Sequence, residues 1–345
     1  MKILINAIVI FIFEISISAQ TVTQVDQLIK ALKANDCIGA KKLVQSFDSI
    51  DYKDYSGKSL LMYGSYFKCF DMVTILLDKG AKIDYQDFNG VSALLLASEN
   101  ESNNIVKLLL DKGAIVDLQR NGGITALLMA TQHGYKETVK LLIDKGANVN
   151  FQRQDGATPL MLASQLGYLE IAKLLLEKGA LVNIKSSKGF TSLMMASQAG
   201  FTEVVKLLID NGAYLEIQSH NDQASALMCA AQEGFSEVVK VLLDSGANIN
   251  LLDSYGESAL FFATDNGHLE VVNLLLGNNA NINITTKDGF SALFIASYHG
   301  YTDLVKLLLD HGANPNLKAN NGKTALEVAA NAEIRSLLNT PTKKK

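Results

Sequence analysis

Apolar residues along this chain occur in short clusters with helical spacing, and glycines separate the clusters at regular intervals. One cluster is residues 126–130, and the next places Val139, Leu142 and Ile143 along one side of a helix. A glycine with Ser or Thr two positions later recurs every 33 residues, at Gly57, Gly90, Gly123, Gly156, Gly189, Gly256, Gly289 and Gly322. The one exception is the interval of 67 residues between Gly189 and Gly256, in which Gln223 stands where a glycine is missing and the loop before it has one extra residue. A repeated two-helix unit therefore accounts for nearly the whole chain.

A hydroxyl residue precedes the first helical cluster of every unit. Ser and Thr are preferred N-caps, because their oxygens accept hydrogen bonds from the free N–H groups of the first helical turn. The second helix of each unit is too apolar to be stable alone, which predicts that it packs against the next unit. The predicted N-caps are Ser59, Ser92, Thr125, Thr158, Thr191, Ser225, Ser258, Ser291 and Thr324.

This pattern resembles the ankyrin repeat over about residues 22–340. The fullest match reads Asp-Gly-Ala-Thr-Pro-Leu at residues 155–160 and Gly-Ala-Leu-Val-Asn at residues 179–183. The family's Thr-Pro-Leu-His box keeps its proline only at Pro159 and its histidine in no repeat. The resemblance implies an all-α, ankyrin-type solenoid of stacked helix-turn-helix units with β-turn fingers. It also implies that a partner protein binds on the concave face.

The ends of the repeat region differ from its middle, as solenoid ends must if they are not to expose an apolar face. We predict an N-terminal capping repeat at residues 20–53 and eight ankyrin-like repeats at residues 54–318. A C-terminal capping repeat is predicted at residues 319–340, followed by a basic tail at residues 341–345.

Residues 1–19 have the layout of a secretory signal peptide. Lys2 precedes an apolar run at residues 3–17, and the small residues Ser18 and Ala19 precede a polar stretch. We predict cleavage after Ala19 and a mature protein that is secreted or periplasmic, in the cell envelope. Glu14 is unusual in such a segment. Two alternatives stay open: a retained membrane anchor formed by residues 3–17, and a first helix of the fold.

Composition and charge narrow the class of partner. Hydrophobic residues make up 48% of the chain and there are only 3 prolines, which is typical of a packed protein. The chain has 31 Lys and Arg against 35 Asp and Glu, a formal net charge of −4. Because this balance provides no basic footprint for a phosphate backbone, we predict no nucleic-acid partner.

The three cysteines fit neither a disulfide framework nor a zinc site. Cys37 and Cys69 fall in adjacent units, which are expected to lie about 10 Å apart. A disulfide needs Cα atoms within about 7 Å, so we predict that these two cysteines do not bridge. Cys229 lies in an apolar helical segment and is predicted to be in the core.

No arrangement of residues points to catalysis. Gly57-Lys58-Ser59 and Gly322-Lys323-Thr324 lack the glycine five residues earlier that a phosphate-binding loop requires. No two of the five histidines have the one-turn spacing of a helical metal site. We predict a monomeric, non-enzymatic protein that has no cofactor, metal or small-molecule substrate and contacts a membrane only if residues 1–19 are retained.

The concave face implied by the resemblance consists of the finger tips and the inner face of the first helices. Aromatic side chains mixed with amides at those positions are typical of protein interfaces. A membrane-anchored structural spacer of the cell envelope is the alternative function. The candidate partner-binding residues are Tyr55, Tyr66, Phe67, Phe88, Gln132, His133, Gln165, Phe190, Gln198, Gln232, Tyr255, Phe290, Tyr298 and His299.

Two polar series recur at a constant place in successive repeats. Gln132, Gln165, Gln198 and Gln232 either present amides to an extended peptide or reflect duplication of similar units. Lys79, Lys112, Lys145 and Lys178 precede the glycine that ends each second helix. Because cations are favoured at helix C-termini, we predict that these lysines stabilise the helix ends.

Overall fold

The computed structural model describes residues 19–47, 50 and 52–339, which form twenty α-helices and no β-strand. Isolated β-bridges pair Lys53 with Ser59, Arg120 with Ile124 and Thr285 with Ser291 within the fingers. The predicted all-α class is therefore confirmed. Most of the predicted signal peptide (1–18), together with the basic tail, lies outside the described residues.

The helices come in pairs along the chain. The first helices are α1 (Ala19–Lys33), α3 (Leu60–Tyr66), α5 (Ala93–Glu99), α7 (Ala126–Gln132), α9 (Pro159–Gln165), α11 (Ser192–Ala199), α13 (Ala226–Glu233), α15 (Ala259–Asp265), α17 (Ala292–His299) and α19 (Ala325–Val328). The second helices are α2 (Cys37–Gln45), α4 (Phe70–Asp78), α6 (Asn103–Asp111), α8 (Lys136–Asp144), α10 (Leu169–Glu177), α12 (Thr202–Asp210), α14 (Ser236–Asp244), α16 (Leu269–Gly277), α18 (Thr302–Asp310) and α20 (Ala332–Asn339).

The chain divides into two compact units, with the boundary after Asn148. In the first unit, α3, α5 and α7 pack on one another in chain order, and so do α2, α4, α6 and α8. In the second unit the odd-numbered helices α9 to α19 and the even-numbered helices α10 to α20 form two such rows. Leucines at one place in successive second helices of this unit are completely buried, at Leu175, Leu208 and Leu242. Within each unit, a helix pair thus completes the core of its neighbour.

Hydroxyl side chains start the first helices, as the sequence predicts. Thr158 Oγ1, for example, accepts a hydrogen bond from Met161 N at 3.2 Å, and Pro159 occupies the first turn, where no N–H is needed. The same acceptor geometry confirms the prediction at eight of the nine positions: Ser59, Ser92, Thr125, Thr158, Thr191, Ser225, Ser258 and Ser291. At the ninth position the Thr324 hydroxyl instead donates to Glu327 Oε2 at 3.0 Å.

The fingers, which are the loops before each first helix, join neighbouring repeats through their backbones. In the first unit Phe88 N donates to the carbonyl of Ser56 at 3.2 Å, and Asn121 N donates to that of Asn89 at 2.9 Å. Because both partners are backbone atoms, this ladder depends on repeat register and leaves the side chains at the tips free to vary. In the second unit the corresponding donor and acceptor pairs are Ser187 to Asp155, His220 to Lys188, Ser254 to Asp222, Lys287 to Tyr255 and Asn320 to Asp288.

A short polar side chain closes many of the finger turns, and sequence reasoning overlooked it. Asp87 Oδ1 accepts hydrogen bonds from Asn89 N and Val91 N, both at 2.9 Å. The available signal was a short polar residue three positions before the anchor glycine. The same buried position is held by Ser186, Asp253 and Thr286.

The finger with the extra residue keeps this turn by enlarging it. Ser219 Oγ accepts from Ala224 N at 3.0 Å, five residues later, where Ser186 and Thr286 bridge four residues. Gln223 adopts φ +55°, in the left-handed region that the anchor glycines also occupy. The prediction that Gln223 replaces the missing glycine is confirmed.

The prediction that Cys37 and Cys69 do not bridge is wrong. They form a disulfide with their Cα atoms 5.2 Å apart. Packed helix axes lie about 8–10 Å apart, but Cα atoms stand about 2.3 Å off each axis, so facing Cα atoms come much closer than the axes do. Cys37 opens α2 and Cys69 precedes α4, which packs on α2. Cys229 is free and buried, as predicted.

Lys79 stabilises a helix C-terminus, but that of the preceding unit. Its Nζ donates to the carbonyls of Val44, Gln45 and Phe47 at 3.1, 3.0 and 2.8 Å. These carbonyls lie at the end of α2, where the last turn leaves acceptors without helical partners. The long lysine side chain therefore links two repeats.

Two further lysines of the series also reach the preceding repeat. Lys112 Nζ lies 3.0 Å from Asp78 Oδ1, and Lys145 Nζ lies 2.5 Å from Asp111 Oδ1. Both aspartates are the last residues of the preceding second helix. The prediction that these lysines act at their own helix ends is corrected for Lys79, Lys112 and Lys145, because each side chain extends across the repeat boundary.

Two serines at opposite ends of α5 should respond differently to removal of the hydroxyl. Ser92 Oγ caps the helix by accepting from Leu95 N at 3.3 Å, so Ser92→Ala should lower the free energy of unfolding by about 1 kcal/mol. Ser98 Oγ is buried and has no hydrogen-bond partner among the described residues. Ser98→Ala should leave stability unchanged or raise it. Urea unfolding measures both, and equal losses would contradict the assignment of the cap.

Alanine substitutions at two glycines should distinguish the energetic cost of backbone strain from the cost of a packing clash. Gly167 and Gly179 have φ of +72° and +88°. An added Cβ would lie 2.4 Å from Phe201 Cε1 at Gly167, whereas no described atom lies within 4 Å at Gly179. We expect Gly179→Ala to cost about 1–2 kcal/mol through strain alone, and Gly167→Ala to cost at least about 1 kcal/mol more, because the ring must move. Denaturant unfolding of both variants tests this, and a smaller loss at Gly167 would refute it.

Candidate protein-binding surfaces

In the first unit the candidate residues include strongly exposed aromatic side chains. Tyr55 is 97% exposed and Phe88 75%, both in fingers, and Tyr66 at the end of α3 is 50% exposed. We call these three residues, together with Phe67, Gln132 and His133, the first-unit surface. Backbone hydrogen bonding holds each finger in place, so these side chains can project into water without loosening the fold.

The end of α3 holds an aromatic pair in a defined geometry. The rings of Tyr66 and Phe67 meet edge to face, with centroids 5.0 Å apart and planes at 87°. Phe67 is half-buried and Lys68 turns the chain with φ +60°. Such edge-to-face contacts are favourable between aromatic rings, so Phe67 orients the more exposed Tyr66.

In the second unit two tyrosines are the most exposed aromatic candidates. Tyr255 in a finger is 58% exposed and Tyr298 at the end of α17 is 60% exposed. We call these two residues, together with Gln165, Phe190, Gln198, Gln232, Phe290 and His299, the second-unit surface.

His299 is held from both sides. Its ring stacks on Tyr301 at a centroid distance of 5.3 Å, and its Nε2 lies 2.9 Å from Asp265 Oδ1. It also meets the neighbouring Tyr298 ring at 5.4 Å in an edge arrangement. The end of α17 thus presents a pre-oriented cluster of rings.

Two candidate phenylalanines in this unit serve partly as core. Phe290 stacks on Phe294 with centroids 4.9 Å apart, against a buried cluster that includes Phe261 and Ile295. Phe190 is likewise half-buried. Sequence phase placed them correctly in the fingers, but burial leaves less of each ring accessible to a partner than at Tyr255.

The candidate glutamines are exposed at the ends of their first helices. Gln165, Gln198 and Gln232 occupy equivalent places in three successive repeats of the second unit, and Gln132 occupies that place in the first unit. Within the described part of the chain their side-chain amides make no hydrogen bond, although the Gln232 carbonyl lies 2.9 Å from His268 Nε2. Their amides are therefore available to a ligand.

Acidic side chains gather beside Tyr255. Burial, together with the neighbouring charges of Asp253, Asp265 and Asp288, raises the pKa of Glu257 to about 7. A neighbouring cation would lower that pKa, so the local electrostatics favour a basic group over an acidic one.

Among the exposed apolar residues outside the predicted set, three share one place in the repeat. Ile115, Leu181 and Tyr214 project from the loops after second helices. Their backbone N–H groups donate to side chains of the preceding repeat; Leu181 N, for instance, donates to Asn150 Oδ1 at 2.7 Å. The sequence signal for these residues is an apolar residue two positions after the glycine of the Gly-Ala pair. This position belongs neither to the finger tips nor to the first helices, where the candidate residues were sought.

One small cavity lies in the first unit. It has a volume of about 150 Å³ and is lined in part by Tyr52, Lys53 and Tyr85, with the Lys53 ammonium 4.0 Å from the centre of the Tyr85 ring. Small-molecule sites typically enclose about 300–1,000 Å³, so this space is too small to be assigned as one. Among the described residues there is no group of three or more His, Cys, Asp or Glu placed to hold a metal ion.

Among the helices of the described residues, none combines the length and the apolar character that a membrane-spanning helix requires.

Comparison with known proteins agrees with the repeat geometry. A family model described as ankyrin repeats (3 copies) matches residues 84–153, 146–219, 193–288 and 260–342. The chain belongs to the ankyrin repeat family. The crystal structure of the human ASB11 ankyrin repeat domain is similar, with 28% sequence identity and a TM-score of 0.59, over 63% of this chain and 99% of that one. No curated protein matches the chain.

Membership of the ankyrin repeat family gives the chain a general role. Ankyrin repeats are interaction domains that are typically non-enzymatic, so this protein is a protein–protein interaction scaffold.

Replacing Glu257 in the ankyrin repeats should change how stability depends on pH. The folded state binds this proton more tightly than the unfolded chain, whose glutamates titrate near pH 4.5, so stability falls as the pH rises from about 4.5 to 7. We expect Glu257→Gln to raise the free energy of unfolding by about 1 kcal/mol at pH 8, a value discounted for solvent screening of a half-exposed group. At pH 4 the change should be small.

The matched control is Glu270→Gln, which removes the same charge from an exposed position on α16. Urea unfolding at both pH values tests the pair. An equal gain in the two variants at pH 8 would indicate that net charge, and not the environment of Glu257, is responsible.

Proposed function

We propose that this protein is an exported, non-enzymatic scaffold that binds a partner protein through the concave face of its ankyrin repeats. The observation that carries the proposal is the exposure of aromatic side chains at finger tips and first-helix ends in both units. Tyrosine is enriched in interface hot spots because it combines a large contact area with a polar tip. Tyr55, Tyr66 and Phe88 supply this chemistry in the first unit, and Tyr255 and Tyr298 supply it in the second.

The amides and carboxylates beside these rings favour a polar protein surface as partner. Exposed glutamine amides can both donate and accept hydrogen bonds, and the acidic group around Glu257 favours a basic side chain. The formal charge of −4 gives no support to nucleic acid as a partner. We propose further that the protein acts as a monomer without cofactor, metal or small-molecule substrate.

Export is supported by two independent features. Residues 1–19 have the layout of a signal peptide with cleavage after Ala19. Cys37 and Cys69 form a disulfide, and structural disulfides persist in secreted and periplasmic proteins but are rare in a reducing cytosol. We therefore place the mature protein outside the cytoplasm and propose that it contacts a membrane only if residues 3–17 are retained.

The test uses a triple variant that removes three exposed tyrosines: Tyr66→Ala, Tyr255→Ala and Tyr298→Ala. Crosslinking in the native host followed by mass spectrometry identifies the bound protein, and its affinity is then measured with both proteins purified. Loss of hot-spot tyrosines should weaken binding by at least about 30-fold.

The control variant carries Ile115→Ala, Leu181→Ala and Tyr214→Ala, which remove exposed apolar side chains from the loops after second helices. Its affinity should stay within about threefold of the unmodified protein. If the partner fails to bind only the control variant, the binding surface lies in those loops. A protein that retains Met1, needs detergent and binds no saturable partner would favour the membrane-anchored spacer.

A further inference from the structure

The N-terminal helix pair is attached to the first full repeat by apolar packing, a few polar contacts and one disulfide. Its apolar core consists of Val25, Leu28, Leu32, Ala40, Val44 and Phe47, all buried. Helix α2 packs on α4 and α1 contacts α3. The finger-to-finger hydrogen bonds that join later repeats begin at Ser56, and among the described residues none joins this helix pair to the first repeat.

The remaining links are polar, apart from one covalent bond. The exposed ion pair between Lys41 and Asp71 has a distance of 2.8 Å, and pairs of this kind contribute little. Lys79 donates to three carbonyls at the end of α2. The disulfide joins Cys37, at the start of α2, to Cys69, just before α4. It acts at one end of the α2–α4 contact and Lys79 at the other.

We propose that the Cys37–Cys69 disulfide is a redox latch that keeps the N-terminal helix pair docked on the first repeat. When the bond is intact, the two helix pairs cannot separate at the Cys37 end. When it is reduced, the helix pair is held by the apolar packing of α2 on α4, one surface ion pair and Lys79, and it opens while the rest of the chain stays folded. Local opening of a terminal part of a protein without global unfolding is general behaviour.

Closing the latch is a two-electron oxidation that a thiol–disulfide oxidoreductase or a small-molecule disulfide can perform. The thiolate of one cysteine attacks a sulfur of the oxidant disulfide, forming a mixed disulfide and releasing one oxidant thiolate. The thiolate of the other cysteine then attacks the protein sulfur, forming the Cys37–Cys69 bond and releasing the second oxidant thiolate. The two cysteine protons go to solvent or to the released thiolates, and the oxidant is reduced to two thiols.

The latch also acts on the first-unit surface. Cys69 follows Phe67 by two residues, and its backbone N–H donates to Gly64 O at 2.9 Å, within the helix that ends at Tyr66. The bond thus anchors the turn that positions the Tyr66–Phe67 ring pair. This consequence for binding rests on the proposed function, whereas the docking of the helix pair does not.

The experiment compares the full-length protein before and after treatment with a phosphine reductant, using hydrogen–deuterium exchange read by mass spectrometry. Removing a disulfide typically destabilises what it constrains by an amount equivalent to about 30-fold or more in an equilibrium constant. We therefore expect amides of α2 and of the buried part of α1 to exchange at least about 30-fold faster after reduction. Peptides from α10 to α18 in the second unit should be unaffected and serve as the internal reference.

Two variants make the result specific. Cys37→Ser combined with Cys69→Ser should exchange as the reduced protein does, with or without reductant, and Cys229→Ser should behave as the unmodified protein. Unchanged exchange of α1 and α2 on reduction would overturn the latch. So would alkylation of Cys37 and Cys69 as free thiols in protein exported and purified without reductant.

The outcome separates the latch from the proposed function. Hydrogen exchange needs no partner, so the two proposals can fail separately. If exchange in the helix pair depends on the redox state but the tyrosine variants bind the partner normally, the latch is supported and the proposed binding surface is rejected. Equal partner affinity of oxidised and reduced protein, measured with a partner that does depend on Tyr66, would overturn the effect of the latch on binding.

Discussion

Within each unit, burial of one helix pair against the next is the interaction on which the rest of the structure depends. The second helices of nine residues are too short to be stable alone in water. They become stable because leucines such as Leu175, Leu208 and Leu242 are completely buried between neighbours. Stability is therefore built from nearest-neighbour contacts, and a repeat can vary its exposed positions without disturbing distant parts of the chain.

Polar contacts set the register in which those apolar faces meet. Backbone hydrogen bonds link successive fingers, and side chains such as Asn150 and Asn183 accept from backbone N–H groups of the next repeat. Because backbone hydrogen bonds supply much of this register, side chains at finger tips and helix ends contribute little to the stability of the fold. The side chains of Tyr55 and Tyr255 can be 97% and 58% exposed while the fingers that carry them are held in place, which is the condition for a pre-organised binding surface.

The N-terminal helix pair shows what happens where this regular scheme ends. Among the described residues no finger hydrogen bond joins it to the first repeat, and other chemistry supplies the attachment: Lys79 donates to the carbonyls that end α2, and Cys37 is bonded to Cys69. In the proposed latch, this covalent bond makes the attachment of the helix pair conditional on the redox state of the surroundings. A scaffold that acts outside the cytoplasm would be in an oxidising environment, in which such a disulfide persists.

The sequence by itself determined the repeat, its helices and their starts, because hydrophobic period, N-cap hydroxyls and anchor glycines are local signals that repetition makes redundant. It also placed Gln223 in the position of a glycine. Only the tertiary structure decided which neighbours meet: the Cys37–Cys69 bond, the reach of Lys79 to the preceding repeat, and the burial of Phe290 against Phe294. These depend on distances of a few ångströms between facing surfaces, which spacing along a chain does not encode.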